Sequence, residues 1–196
     1  MARQQQIEAS LNYLGDTDTR PEVYLYTPPE GTVQNRPPRI AHTVSISDAR
    51  DIGATLDREG FALRRYDTRV ADFYDDDEVR SIYFPEVERL VKEVTGASRV
   101  LVFDYNVRCA SMAQRRENNA QMPVKSAHND YTLRSGPQRV RDLLPDDAAA
   151  LLQHRFSIVN VWRPIRGPVH KHPLAVCDAT TMDLDDFVAT DLRYRD

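Results

Sequence analysis

His128-Asn129-Asp130-Tyr131 and the later tract Val159-Asn160-Val161-Trp162-Arg163-Pro164-Ile165 carry the residues that decide what kind of fold this chain specifies. Side chains alternate along a strand with a period of two, so His128 and Asp130 point to one face. One imidazole and one carboxylate on one face are two ligands of the facial triad that holds non-haem Fe(II) and leaves positions open. No third ligand stands at an obvious spacing. With five histidines and 30 acidic residues in the chain, a single His-x-Asp pair carries little weight alone. Its plainer reading is a surface histidine beside an aspartate that caps the following turn.

In the second tract, alternation puts Ser157, Val159, Val161 and Arg163 on one face and Ile158, Asn160 and Trp162 on the other. An asparagine beside a tryptophan is costly to bury without partners. Asn160 therefore either hydrogen-bonds a ligand or ties down a neighbouring loop. Arg163 either clamps a carboxylate through both arms of its guanidinium or pairs with one of the chain's many aspartates. His170 and His172 bracket Lys171 and would share a strand face, so either is a candidate third iron ligand. Pro168 and Pro173 point instead to an exposed loop. His42 and His154 read as surface residues, and the acidic run Asp75 to Glu78 reads as a solvated helix start rather than a site for a hard cation.

The first forty residues are polar and rich in Pro and Tyr, with Pro28, Pro29, Pro37 and Pro38 favouring extended segments that pack over a core. Residues 1–39 are accordingly expected to be such a segment, and 40–196 the domain proper. A strand is predicted at His42–Ile46, then a helix from Asp48 to Glu59 with Gly60 as its cap. Short strands are predicted at Phe61–Leu63 and Arg99–Asp104. Asp75 to Val94 has helical spacing closed by Gly96, and Pro85 inside it predicts a kink or two helices. Ser111–Lys125 reads as a loop, Gln138–Leu144 and Pro145–Gln153 as helices, and Phe156–Ile165 and Leu174–Cys177 as strands. Helices early and strands late give an α+β plan rather than a regular βαβ alternation.

The chain has 196 residues, enough for one well-cored domain. Its formal net charge is −4, and arginines such as Arg64, Arg65, Arg69, Arg80 and Arg89 are interleaved with acids. No basic stripe suited to phosphates stands out, so no nucleic-acid partner is expected. No run approaches the roughly 20 apolar residues that cross a bilayer, and the start Met1-Ala2-Arg3-Gln4-Gln5-Gln6 has no apolar signal core. Cys109 and Cys177 form neither a Cys-x-x-Cys nor a zinc pattern and are expected to be reduced and partly buried. A cytoplasmic location is the default expectation.

Longer strings say more than spacing. Asp72-Phe73-Tyr74-Asp75-Asp76-Asp77-Glu78-Val79, Tyr83-Phe84-Pro85-Glu86, Thr95-Gly96-Ala97 and Val102-Phe103-Asp104 occur in order. His128-Asn129-Asp130, Asn160-Val161-Trp162-Arg163-Pro164-Ile165 and Pro173-Leu174-Ala175-Val176-Cys177-Asp178 follow. From about Tyr24 to Tyr194 the chain resembles the AsaB-type hydroxylase/desaturase family, related to the cephem 7α-methoxylase component and similar to the Fe(II)/2-oxoglutarate oxygenases. The resemblance implies a double-stranded β-helix (jelly-roll) core with flanking helices. It implies Fe(II) and 2-oxoglutarate as cofactors, and hydroxylation or desaturation of a small secondary metabolite. It matches His128 and Asp130 to the first two iron ligands, and Asn160 and Arg163 to a cavity-lining tract.

The resemblance puts the third ligand histidine and the 2-oxoglutarate-binding arginine in a C-terminal segment beyond Thr190–Tyr194, so the core is expected to be incomplete. Tyr105 stands where relatives often carry His, and His170-Lys171-His172 where acidic and aromatic residues are usual. Three outcomes stay open. The chain is an oxygenase whose third ligand is recruited from His170 or His172, a truncated or catalytically silent paralogue serving as a binding or partner subunit, or a metal-dependent hydrolase built on Asp130.

Overall fold

The computed structural model describes residues 6–111 and 120–195. Most of the loop expected at Ser111–Lys125 falls on residues 112–119, outside the described residues. The remainder forms two compact units: residues 6–63, 125–132 and 175–195, and residues 64–111, 120–124 and 133–174.

The first unit is built on β1 (Gln6–Leu14), β2 (Glu22–Tyr24), β3 (Arg39–Ser47) and β4 (Asp191–Arg193). β1 and β3 pair antiparallel in unbroken register from Gln6↔Ser47 to Leu14↔Arg39. β2 and β4 pair parallel over Glu22↔Asp191 to Tyr24↔Arg193, and Arg193 Nη2 reaches the Glu22 carboxylate at 2.6 Å. The strand expected at His42–Ile46 is thus the centre of β3. β1 is an addition to the expected plan, and strands stand at both ends of the chain rather than late in it.

Helix α1 (Ala49–Ile52) starts on Asp48, whose carboxylate accepts from the Arg50 amide, and stops at Gly53 with φ 59°. The helix expected to run to Glu59 ends early because Gly53 takes the left-handed conformation that side chains resist. Phe61–Leu63 makes no strand, and Glu59 instead accepts the Ala179 amide at 2.9 Å.

The second unit is organised by one long helical run: α2 (Asp76–Glu78), a π-helical turn (Val79–Tyr83) and α3 (Phe84–Thr95). Asp75 caps it by accepting the Glu78 amide, and Gly96 closes it with φ 70°. Pro85 explains the interruption. It lacks the N–H that would continue the ladder, so the Phe84 amide reaches back to Val79 O in a widened turn and the helix restarts. Val79 is fully buried beneath this turn. Glu86, only 3% exposed, accepts from the Thr68 hydroxyl (2.5 Å), the Arg69 amide (3.1 Å) and Arg69 Nε (3.3 Å). Glu78 likewise takes the Ala71 and Asp72 amides. The acidic run is therefore helix-capping and loop-holding structure.

α4 (Ser135–Leu143) starts three residues before the helix expected at Gln138–Leu144, and α5 (Ala148–Leu151) is shorter than the helix expected at Pro145–Gln153. Phe156 and Ile158 lie in van der Waals reach of Gly136 in α4. Arg99–Asp104, Phe156–Ile165 and Leu174–Cys177 form no strands among the described residues. A strand exists only through its ladder, and these runs carry no ladder among the described residues. Leu101, Phe156, Val159, Leu174 and Val176 are exposed, and Trp162 is 49% exposed. Cys109 is half-buried as expected, but Cys177 is exposed, and neither forms a disulfide. No helix among the described residues is long and apolar enough to cross a membrane.

Candidate functional site

The segment ahead of His128 is fixed to β1 by one residue, through its side chain and its backbone carbonyl. Asn12 donates from Nδ2 to Lys125 O at 2.8 Å, and its carbonyl accepts the Ala127 amide at 2.8 Å and the Ser126 hydroxyl at 3.3 Å. Asn12 and Ser126 form a single parallel bridge. His128 therefore leaves an anchored backbone, and the chain bends at Asp130. The two side chains converge through an anchored extended segment and a bend, not along a strand ladder.

His128 Nδ1 lies 2.9 Å from Ser126 O. A carbonyl oxygen only accepts, so Nδ1 carries the proton and donates. That leaves Nε2, which lies 3.4 Å from Asp130 Oδ1, both side chains being about half exposed. An imidazole lone pair and a carboxylate oxygen repel unless a proton or a cation stands between them. Two ligand atoms held about 2.1 Å from an octahedral metal at right angles lie about 3 Å apart, so this pair has close to the required bite. The Nδ1 bond to a backbone carbonyl is the partner that metal-ligating histidines ordinarily have. On donor chemistry and spacing the pair fits a divalent metal. Among the described residues, no group of three His, Cys, Asp or Glu side chains is gathered to hold one.

Asn160, Arg163 and His170 belong to the second unit. Asn160 and His170 are exposed, and the 165–172 stretch is a bent loop in which His172 has φ 52°. Arg163 is half-buried, with its guanidinium carbon 5.3 Å from the Phe73 ring centre and 5.8 Å from that of Tyr83. Those rings meet edge to face at 5.1 Å. Arg163 takes no aspartate among the described residues, so the ion pair weighed from the sequence is replaced by an aromatic corner. Burial pushes the Tyr83 phenol above its ordinary value, opposed by the nearby Arg163 charge and a hydrogen bond from it. Arg163 Nε is buried and finds no acceptor among the described residues.

A family model described as an oxidoreductase/YMDC permease-like domain matches residues 11–196. The chain belongs to that oxidoreductase family. The chain is 34% identical over 185 residues to the Fe(II)/2-oxoglutarate-dependent dioxygenase NvfI of Aspergillus novofumigatus, covering 87% of this chain and 63% of that protein. It is 35% identical over 162 residues to a hydroxylase/desaturase of Cercospora beticola, covering 76% of this chain and 50% of that protein. Among solved structures, the iron and alpha-ketoglutarate-dependent endoperoxidase NvfI is similar at a TM-score of 0.65 and 25% identity, over 78% of this chain and 57% of that one. The chain spans 55%, 56% and 63% of the lengths of three curated relatives it matches, so little more than half.

Three residues of this family member that hold the candidate groups His128 and Arg163 have little or no signal of their own in the sequence. Asn12 had a faint signal, since asparagine is depleted in strands and one inside an alternating run calls for a reason. Phe73 and Tyr83 sit in the ordered motifs, yet nothing in their spacing points to Arg163, 90 and 80 residues downstream of them.

Proposed function

We propose that this chain carries the metal-binding part of a non-haem Fe(II)/2-oxoglutarate-dependent oxygenase that hydroxylates or desaturates a small secondary metabolite. The observation that carries the reading is the His128–Asp130 pair: Nε2 and Oδ1 at 3.4 Å, with Nδ1 committed to Ser126 O. When bound, Fe(II) would supply a centre at which dioxygen, the oxidant, is reduced at the expense of 2-oxoglutarate, which leaves as succinate and carbon dioxide, and of a substrate C–H bond. The chain's own part is to present Nε2 and a carboxylate oxygen from a segment anchored on Asn12. His170 is proposed as the third ligand, and Asn160 and Arg163 as contacts to co-substrate or substrate. The names of the relatives support the reaction class. The finer assignment to the AsaB-type branch, near the cephem 7α-methoxylase component, rests on the ordered motifs from Asp72 to Asp178.

The proposed architecture is a double-stranded β-helix core with flanking helices. Residues 1–39 serve as its extended N-terminal segment and 40–196 as the oxygenase-like domain, acting on a small molecule in the cytoplasm rather than on nucleic acid or membrane. Anaerobic titration with Fe(II), or with Co(II) as a spectroscopic stand-in, tests the centre. The purified chain is expected to bind the metal weakly, and His128→Ala to abolish that binding. Unchanged affinity in the variant removes His128 from the site.

A second reading, a catalytically silent binding or partner subunit, is favoured by the want of a third gathered donor among the described residues. Succinate formation from 2-oxoglutarate with Fe(II) and oxygen separates the two. Turnover above a metal-free control excludes the silent subunit.

A further inference from the structure

We propose that the outer edge of β3 pairs antiparallel with the same edge of a second copy of this chain. Two β1–β3 ribbons then join into one four-stranded sheet about a two-fold axis at Thr43. This edge takes no part in the proposed metal chemistry, and its pairing stands or falls apart from that reading.

The ladder fixes which way each β3 backbone group points. Antiparallel pairs alternate between those that exchange both hydrogen bonds and those that exchange none. The Gly15 amide donates to Pro38 O at 2.8 Å, in step with the register that ends at Leu14↔Arg39. Counting back by two, the bonded pairs are Tyr13↔Ile40, Leu11↔His42, Ala9↔Val44 and Ile7↔Ile46. Arg39, Ala41, Thr43, Ser45 and Ser47 therefore aim their N–H and C=O groups away from β1. None of those groups has a backbone partner among the described residues, and Ala41, Thr43 and Ser45 are exposed. The outer edge of β1 differs, because Asn12 O accepts the Ala127 amide there. Strand edges are ordinarily blunted by brevity, lysine, proline, a bulge or a cover. β3 has nine residues, no lysine or proline, and an unbroken register with β1. Its one charged side chain, Arg39, stands at its end.

The occupant follows from how β3 suits its own reverse. Turned about Thr43, the strand sets Thr43 against Thr43, Ala41 against Ser45 and Arg39 against Ser47, five bonded pairs in all. Threonine against threonine is a favourable cross-strand pair, and no like charges meet. Either neighbouring register, centred on His42 or Val44, keeps only four bonded pairs. On the opposite face Ile40 meets Ile46 and His42 meets Val44, so the apolar sides of the two ribbons run on as one. In the single chain that face is thinly covered, with Ile7 58% and Ile40 43% exposed. A two-stranded ribbon alone is marginal in water, and further strands stabilise it. The contact is isologous and closes on itself, which leaves no second free β3 edge.

Sedimentation velocity on the full chain, from micromolar to millimolar concentration, tests the pairing. The 22.5 kDa chain is expected to shift toward twice that mass as concentration rises. The outward amides of Ala41, Thr43 and Ser45 should gain exchange protection over the same range. Thr43→Lys and Thr43→Glu each set like charges face to face at the axis, so each is expected to stay monomeric. Their strand dichroism should persist, because Thr43 is exposed and its amide does not serve the β1 ladder. An equimolar mixture of the two variants is expected to recover the doubled mass, which neither misfolding nor a dimer through another face would produce. A chain that stays monomeric across the whole range overturns the proposal. A dimer that both variants retain also overturns it, as does a mixture no heavier than its parts.

Discussion

A carboxylate as deeply buried as Glu86 persists only where its lone pairs are filled. Burial alone pushes its carboxyl up, but the bonds from the Thr68 hydroxyl and from the Arg69 amide and guanidinium outweigh it, so the net direction is below the usual glutamate value. A folded-state value below the unfolded one means that the stabilisation is fully present above the unfolded pKa and is lost as pH falls through the folded pKa. Glu86→Gln is expected to cost about 1–3 kcal/mol at neutral pH, because an amide cannot satisfy three converging donors. It should also flatten the decline in stability below the unfolded glutamate pKa. Urea midpoints measured across the acid range check both, and an unaltered acid limb would remove Glu86 as its source. Tyr105 gives a second residue-scale expectation. Burial, then its bond to Asp76 at 2.6 Å and that carboxylate's charge, push the phenol up to about 12. Asp76→Asn should bring it down toward, but not onto, the ordinary value, since burial remains. Phenolate absorbance, taken as a difference against Tyr105→Phe, reads the change.

Elements whose signals are local could be read before the fold was known. The run from Asp75 to Gly96 announces its own cap, its Pro85 interruption and its glycine stop, and all three are found. Asp75→Ala should cost about 1 kcal/mol, the usual worth of an N-cap, in a thermal or urea melt. β1 shows the opposite case. Ile7, Ala9, Leu11 and Tyr13 alternate with polar residues, so the period of a strand is present, but the prolines downstream suit a wrapping segment as well as a paired one. Its register with β3 depends on residues some thirty positions away, which a local pattern does not specify. β1 also carries Asn12, and that makes it part of the candidate site. Asn12→Ala removes the Lys125 bond while leaving the ladder intact, so the circular dichroism of the strands should persist. Affinity for Co(II) should fall about tenfold, the common effect of freeing a ligand from its supporting shell. Unchanged affinity would show that the His128 backbone is held by other means.

At the scale of the whole molecule, the apolar runs at Arg99–Asp104, Phe156–Ile165 and Leu174–Cys177 read as strands because their composition suits a ladder flanked by further strands. Composition describes a preference, whereas a strand needs a paired ladder, and among the described residues those runs form none. The same distinction explains what was legible of the site. His128 and Asp130 are two positions apart, so their meeting follows from the chain itself. The Arg163 corner joins residues far apart in sequence and is visible only in three dimensions. The contrast predicts a pattern of amide exchange. Amides of α3, and the alternate amides of β1 and β3 that face the partner strand, should exchange slowly by mass spectrometry or NMR, up to the limit set by opening of their unit. Amides of 161–165 and 174–177, with no backbone partner among the described residues, should exchange at nearly the rate of an unstructured peptide. Trp162, the one tryptophan and half exposed, should correspondingly be quenched readily by acrylamide. Slow exchange across 161–165 in the isolated chain would mean that a strand ladder forms there after all, and the expected jelly-roll edge would then be present in this chain.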